Sequence, residues 1–559
     1  MLPGVQASSL RELERRTPAR HVPSRGAARQ WPHVISGDEI ADDVIRRVTA
    51  QVLDRVEPHG PARVEELVHE TIYCEEQRLA ALGAQDPRAA GDAAFVAGLR
   101  HDLARAEGHE LRELVAAIVT RYVAEIGGRF DARVYQLVTR VLPRALGTAL
   151  HGDLDERVRI DGEVGALRTL ARIGTVVLAP NHVSNLDSVL VGWAIHRLGL
   201  PPFAYAAGLN LFTSAIVGFF MRNLGAYTVD RKKTDPLYGA TLKEYATALL
   251  ERGQHSLVFP GGTRSRSGAP PAKLKLGLLG TGPVAYRRCA ERGTPRPVFV
   301  VPCTLTYPLV LEASTLVEEF LRTEGGAHYL DLADEFERPR RWIDFIRGVL
   351  ELDLVIHLRI GAALDVVGNP VDAEGASLDP HGRRTDLRRY FTVDGELAAD
   401  DARDAEYTRF VATRLMHAYR RDAFALPTSV LALVLLERLR VEHAQGDLFR
   451  LLRVLGDATV PWDVAVADVE RACTEVARLA NGGELQMSHD LRGPAPVVVA
   501  RALDTFARYH ARPVVTRRGD RLVVTDPNLL LYYRNWLEGR GLGGAPALLS
   551  ESGHPRRLR

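Results

Sequence analysis

Hydrophobic and polar positions fall into three textures along the chain. From 38 to 150, apolar residues recur at three- and four-residue spacing in Ile40–Val56, Ala62–Leu82 and Leu111–Leu150. That is the period of helices burying one face. Near 155 the pattern changes. Arg157-Val158-Arg159-Ile160-Asp161 alternates charged and apolar residues before Gly162, which predicts a short strand. Thr175-Val176-Val177-Leu178-Ala179 is apolar and β-branched and ends at Pro180, which predicts a second. Ser256–Phe259 and Val298–Thr306 read as further strands; Ser188–Leu198, Tyr238–Arg252 and Val284–Arg292 read as helices. Strands alternating with helices indicate an α/β domain over roughly 155–370. A polar stretch, Asp372–Arg389, opens the third texture. Helical patterns then run to Tyr509, and Pro513–Thr525 predicts a hairpin turning at Gly519-Asp520. The domains expected are a basic flexible arm (1–37), a helical domain (38–154), the α/β domain (155–370) and a mainly helical domain with a late hairpin (371–559).

Leu198–Met221 is an uncharged run of 24 residues between Arg197 and Arg222. Its length would permit a membrane span. It also contains Pro201-Pro202, Gly208, Asn210, Thr213, Ser214 and Gly218, and it lies between segments that must face one site. A helix over about Leu209–Leu224 is expected instead. It has Phe212, Ile216, Phe219 and Phe220 on one face, seated either at a membrane interface or in a soluble core.

Composition narrows the classes. The 559 residues are 46% apolar and 25% charged, ordinary for a globular protein. The 72 basic and 70 acidic side chains leave a net charge of +2, with no global attraction for nucleic acid. Cys74, Cys289, Cys303 and Cys473 lie far apart with no C-x-x-C spacing, which speaks for a reducing compartment and against a zinc ribbon. Met1–Gln30 carries six arginines and no apolar core; it reads as a solvated arm, not a signal peptide. All five lysines fall between Lys232 and Lys275, where compact ammonium groups suit a phosphate.

The chemistry concentrates at Pro180-Asn181-His182-Val183-Ser184-Asn185-Leu186-Asp187. A His five residues before an Asp occurs four times: His33/Asp38, His182/Asp187, His381/Asp386 and His417/Asp422. Only His182/Asp187 directly follows an apolar strand and opens a helix, where α/β proteins place chemistry. An imidazole there can take a proton from an alcohol, and the carboxylate can fix its tautomer and stabilise the imidazolium. Without a G-x-S-x-G elbow, direct attack by a substrate hydroxyl is expected, with no covalent enzyme intermediate.

Three later blocks follow in order: Gly225-Ala226-Tyr227-Thr228-Val229-Asp230-Arg231 with Lys232-Lys233; Phe259-Pro260-Gly261-Gly262-Thr263-Arg264-Ser265-Arg266-Ser267-Gly268 with Lys273 and Lys275; and Val300-Val301-Pro302-Cys303-Thr304. Together with the His182 block they resemble the glycerolipid acyltransferases, more closely the bacterial membrane-bound glycerol-3-phosphate 1-O-acyltransferases. The linkers Ala206–Asn210, Arg222–Ala226 and Tyr307–Ala313 add to the likeness. The resemblance implies an α/β acyltransferase core, a mixed sheet flanked by helices, with mainly helical domains on both sides. It implies transfer of a fatty acyl group from acyl-CoA or acyl-acyl carrier protein to the sn-1 hydroxyl of glycerol 3-phosphate. It also implies peripheral or monotopic membrane contact at the cytoplasmic face, and no metal, other cofactor or nucleic acid. His182 would be the general base and Asp187 its orienter. Arg231 and Lys232 would bind phosphate; Gly262, Arg264, Ser265 and Lys275 would shape the acceptor site; Pro302 would line the acyl side. One position departs: the family's third block usually carries Glu where this chain has Gly261. That keeps other acceptors in view, lysophosphatidic acid or dihydroxyacetone phosphate, beside an idle lipid-binding scaffold.

Overall fold

The computed structural model describes residues 35, 37–82, 89–141, 154–209, 215–324, 354–443, 448–510, 512–542 and 545–550. Nearly all of the basic arm lies outside these, as do His33, the 142–150 end of the long predicted helix, Asn210, Phe212 and the side chain of Ile216.

Four helices come first: α1 (Gly37–Val56), α2 (Pro61–Ala81), α3 (Ala89–Leu103) and α4 (His109–Ile126). Their periodicity is used as predicted, with Ile40, Val44 and Val48 buried on α1 and Leu111, Val115, Ile118 and Tyr122 on α4. The helix expected over Leu111–Leu150 stops early, at Gly127-Gly128. There the chain presses on the sheet. A Cβ on Gly128 would lie 2.6 Å from the Ala226 carbonyl oxygen, and the Gly128 N–H donates to the Tyr245 hydroxyl at 3.0 Å.

The middle of the chain builds one seven-stranded sheet from β1 (Val158–Gly162), β2 (Thr175–Pro180), β3 (Ala204–Gly208), β4 (Ala226–Val229), β5 (Ser256–Leu257), β6 (Val298–Thr306) and β7 (Ile356–Ile360), in the order β1-β7-β6-β2-β5-β3-β4. β6, β2, β5, β3 and β4 are mutually parallel; β7 pairs antiparallel with β6 and parallel with β1. Every residue of β2 and β6 is buried, as expected of continuous apolar strands covered on both faces. β2 and β6 run in register from Thr175↔Val298 to Pro180↔Cys303.

The interleaved helices are α5 (Val164–Ile173), α6 (Asp187–Arg197), α7 (Ala215–Asn223), α8 (Pro236–Glu251), α9 (Thr281–Glu291) and α10 (Ala313–Glu324). The uncharged Leu198–Met221 run therefore contains a strand, β3, and the start of α7, and the helix expected from Leu209 is α7 instead. No helix among the described residues is long and apolar enough to cross a membrane. The core of α1, α2, α3 and α4 is continuous with Ala204, Tyr227, Tyr238, Tyr245 and Leu249 of β3, β4 and α8.

Beyond β7 stand α11 (Asp401–Arg421), α12 (Pro427–His443), α13 (Trp462–Asn481), α14 (Ala495–Ala507) and α15 (Pro527–Asn535). A hairpin of Val515–Arg518 and Arg521–Val524 turns at Gly519-Asp520, with Gly519 at φ +63°. α12 is buried along its first ten residues. A single core runs from β2, β6 and β7 through α12, α13 and α15. These helices back the sheet rather than standing apart from it.

Candidate active site

Because five strands run parallel, their carboxyl ends share one edge of the sheet. The loops after β2, β4, β5 and β6 therefore line the same rim, where open α/β sheets place ligands. These loops carry the His182 block, Arg231 and Lys232, the glycine-rich third block, and Tyr307–Glu312.

Asn181 fixes the first loop. Its backbone N–H donates to the Cys303 carbonyl at 3.1 Å. Its side chain spans to β6, Nδ2 donating to the Leu305 carbonyl at 3.0 Å and Oδ1 accepting from the Leu305 N–H at 2.7 Å. His182 follows, and Asp187 opens α6. A carboxylate at a helix start sits favourably in the helix dipole. Asp187 has no solvent exposure, yet both of its oxygens are hydrogen-bonded. Its Oδ2 accepts from His182 Nδ1 at 2.7 Å, the Val183 N–H at 2.6 Å and the Ser184 N–H at 3.0 Å. Its Oδ1 accepts from the Tyr307 hydroxyl at 2.5 Å. A buried carboxylate persists only when paired and hydrogen-bonded in this way. Because a carboxylate only accepts, Nδ1 of His182 carries the proton and the lone pair of the neutral ring lies on Nε2. The ring is 20% exposed and rests against Phe259, centroids 4.6 Å apart.

The third block is stitched to this base. The Ser265 N–H donates to the His182 carbonyl at 2.9 Å. Gly262 sits at φ +74°, and a Cβ there would meet Lys275 Cγ at 2.9 Å, so the Lys275 stem lies across the glycine turn. The Lys275 N–H donates to the Pro260 carbonyl at 2.7 Å, and the Lys275 side chain is exposed. Ser265 spends its hydroxyl on the Ala269 carbonyl at 2.7 Å: it shapes the turn. Arg264 meets Glu312 with Nη1 at 3.5 Å from Oε1. Glu312 also accepts from the Ser184 hydroxyl at 3.0 Å and the Asn185 N–H at 2.7 Å. Burial pushes the Glu312 carboxyl up from its usual range, opposed by Asn185, Arg264 and Ser184. Tyr307 and Glu312 were not singled out as site residues by sequence. Both lie in the quoted Tyr307–Ala313 linker, but only the pairing of β6 with β2 carries them to the base.

The second block divides. Arg231 and Lys232 are exposed after β4. Lys233, one of the five clustered lysines read by sequence as suited to a phosphate, is not part of an open phosphate site. Its side chain is 4% exposed, pairs with Glu125 at 2.7 Å and Glu75 at 3.2 Å, and lies 4.4 Å from the Tyr122 ring centroid. The acidic side chains of α2 and α4 draw it inward. Asp230 has Arg78 at 3.8 Å, so both neighbours of the Arg231-Lys232 pair are held by the N-terminal helices. Pro302 lies buried inside β6, pairs with Ala179 and packs on Gly361; the side chain that reaches Asp187 from this segment is Tyr307, just past the end of the strand. Among the described residues no cluster of three or more His, Cys, Asp or Glu could hold a metal ion.

Residues 162–305 match the family model for acyltransferases. A protein of Pseudomonas paraeruginosa named glycerol-3-phosphate acyltransferase is 30% identical over 209 residues, 37% of this chain and 24% of that protein. An Aeromonas hydrophila protein of the same name is 36% identical over 158 residues, 27% of this chain and 18% of its own length. A third so named, from Ectopseudomonas mendocina, is 29% identical over 271 residues, 46% and 31% of the two chains. The chain thus spans between about a fifth and a third of the length of these relatives. The sequence likeness over 162–305 makes this region an acyltransferase domain, similar to stretches of proteins named glycerol-3-phosphate acyltransferase.

Proposed function

We propose that the protein transfers a fatty acyl group from a thioester, acyl-CoA or acyl-acyl carrier protein, to the sn-1 hydroxyl of glycerol 3-phosphate, giving lysophosphatidic acid for phospholipid synthesis. The observation that carries this reading is the His182 imidazole, held through Nδ1 by a buried carboxylate at 2.7 Å, with no hydrogen bond to Nε2 among the described residues. Nε2 takes the proton of the acceptor hydroxyl as its oxygen attacks the thioester carbonyl. The tetrahedral intermediate expels the thiolate, and the imidazolium returns the proton to that sulfur. Asp187 stabilises the imidazolium in between.

The acceptor phosphate is read as lying between the loops after β5 and β4, with Arg264, Lys275, Arg231 and Lys232 as its cations. β4 stands three strand spacings from β2, about 14 Å at ~4.8 Å each. The third block, on the strand beside β2, is then the nearer grip. Guanidinium forks and ammonium groups together suit a phosphate. Membrane contact at the cytoplasmic face is read for α7, where Phe219 is 54% exposed and stacks edge-on with Phe220.

A second acceptor, dihydroxyacetone phosphate or lysophosphatidic acid, is favoured by one observation. A Cβ on Gly261 would meet nothing nearer than the Thr263 carbonyl oxygen at 3.5 Å, so the turn leaves open the space a longer side chain would fill. Thiol release from a long-chain acyl-CoA with each acceptor in turn separates the readings. Glycerol 3-phosphate should give the highest kcat/KM, and His182→Ala should abolish turnover while folding is retained. Equal turnover in His182→Ala would remove His182 as base; wild-type turnover with none of the acceptors would leave the idle lipid-binding scaffold.

A further inference from the structure

We propose that Tyr307 is a positioning residue of the base: its hydroxyl, bonded to the one Asp187 oxygen that His182 does not use, sets how tightly the carboxylate holds the proton on the imidazole. The proposal rests on reading His182 as the base. The two Asp187 oxygens are unequally loaded. Oδ2 takes three donors and faces the ring; Oδ1 takes the Tyr307 hydroxyl, at 2.5 Å. A donor on Oδ1 draws negative charge away from Oδ2 and so weakens its hold on the imidazolium. A proton held less tightly is returned more readily to the departing thiolate.

The hydroxyl is fixed from both sides. Tyr307 follows the last residue of β6, whose end is locked to the His182 loop by the two Asn181–Leu305 bonds. The next residue, Pro308, accepts from the Thr428 hydroxyl of α12 at 3.0 Å. The phenol remains a donor, because burial, with Asp187 beside it, pushes its pKa well above the ordinary tyrosine value. Other groups face the pair from every packed element. Cys303 of β6 and Tyr532 of α15 are kept protonated by burial. Glu312 is paired with Arg264, and Phe259 is apolar. The hydrogen bond to Oδ1 comes from Tyr307.

Four variants of the whole chain test this: Tyr307→Phe, Tyr307 replaced by 3,5-difluorotyrosine, Asp187→Asn, and the double variant Asp187→Asn/Tyr307→Phe. Two readouts are used, the acidic limb of kcat/KM for acyl-CoA and glycerol 3-phosphate, and the pH dependence of His182 labelling by diethyl pyrocarbonate without substrate. Tyr307→Phe should move both upward by roughly 0.5–1 pH unit. Difluorotyrosine, a stronger donor of nearly the same shape, should move both downward. In the Asp187→Asn background the Tyr307→Phe change should move the labelling profile no further. Unmoved profiles, or shifts of the same sign in both single variants, would overturn the proposal. Because difluorotyrosine keeps the packing, misfolding of Tyr307→Phe leaves the test intact. A wild type that labels as described but transfers no acyl group would sink the acyl-transfer reading and leave the Tyr307 coupling standing.

Discussion

Replacing Asp187 by Asn removes one charge with little change of shape, and the structure sets the size of the effect. An Asn can present its carbonyl to His182 Nδ1 and the Val183 and Ser184 N–H groups, now at 2.6–3.0 Å from Oδ2. Its amide then donates to the Tyr307 hydroxyl, which can accept. The loop and the ring tautomer survive, so the fold should lose no more than about 1–3 kcal/mol from weaker hydrogen bonds. What is lost is the charge behind the imidazolium. With charge centres about 4 Å apart and an effective dielectric near 20, that pairing amounts to about 4 kcal/mol. At about 1.4 kcal/mol per decade, turnover should fall about 1,000-fold. The assay is thiol release from long-chain acyl-CoA at saturating glycerol 3-phosphate, with urea unfolding run in parallel. KM for the acceptor should change little, because the cations proposed for its phosphate lie on the loops after β4 and β5 and not on Asp187. Folded Asp187→Asn retaining more than a tenth of wild-type kcat would refute the claim that the buried carboxylate supports a transition-state imidazolium.

The remaining expectations concern the scaffold. Lys233→Met should destabilise folding by about 1–3 kcal/mol, because buried Glu75 keeps Arg78 at 2.6 Å but loses its second cation; a variant of unchanged stability with only a raised acceptor KM would return Lys233 to the phosphate site. Gly268→Ala should be severe: Gly268 sits at φ +80° and a Cβ would lie 2.1 Å from the Tyr532 carbonyl oxygen. A melting temperature within about 1 °C of wild type, where about 1 kcal/mol would move a chain of this length by about 1 °C, would show that α15 does not clamp the third block. Phe219→Asp should release protein from anionic vesicles without loss of fold if α7 is interfacial; unchanged flotation would remove α7 from the membrane reading. Burial holds His255, His357 and His510 down at about 4. The unfolded chain binds these protons from about pH 6.5 while the native one does not, so stability is full above 6.5 and falls as pH drops toward 4, by up to about 3 kcal/mol per ring. A urea midpoint flat from pH 6.5 to 4.5 would contradict those burials.

What the sequence settled by itself was local. The three- and four-residue period on α1, α2 and α4, the apolar runs of β2 and β6 and the Gly519-Asp520 turn each follow from residues close together in the chain. His182 and Asp187 were legible for the same reason, since five residues spanning a strand end and a helix start form their own unit. Long-range contact decided the rest. β3 carries Ala-Tyr-Ala-Ala-Gly, with little strand propensity, and is a strand because β4 and β5 pair with it. α4 stops where Gly128 meets Ala226. Lys233 reads as one more cation until Glu75 and Glu125, more than 100 residues away, enclose it. Tyr307 and Glu312 stand 120 or more residues beyond the His182 loop, and no periodicity relates the two segments. Strand register brings them together, and register depends on pairing partners that a one-dimensional pattern does not name.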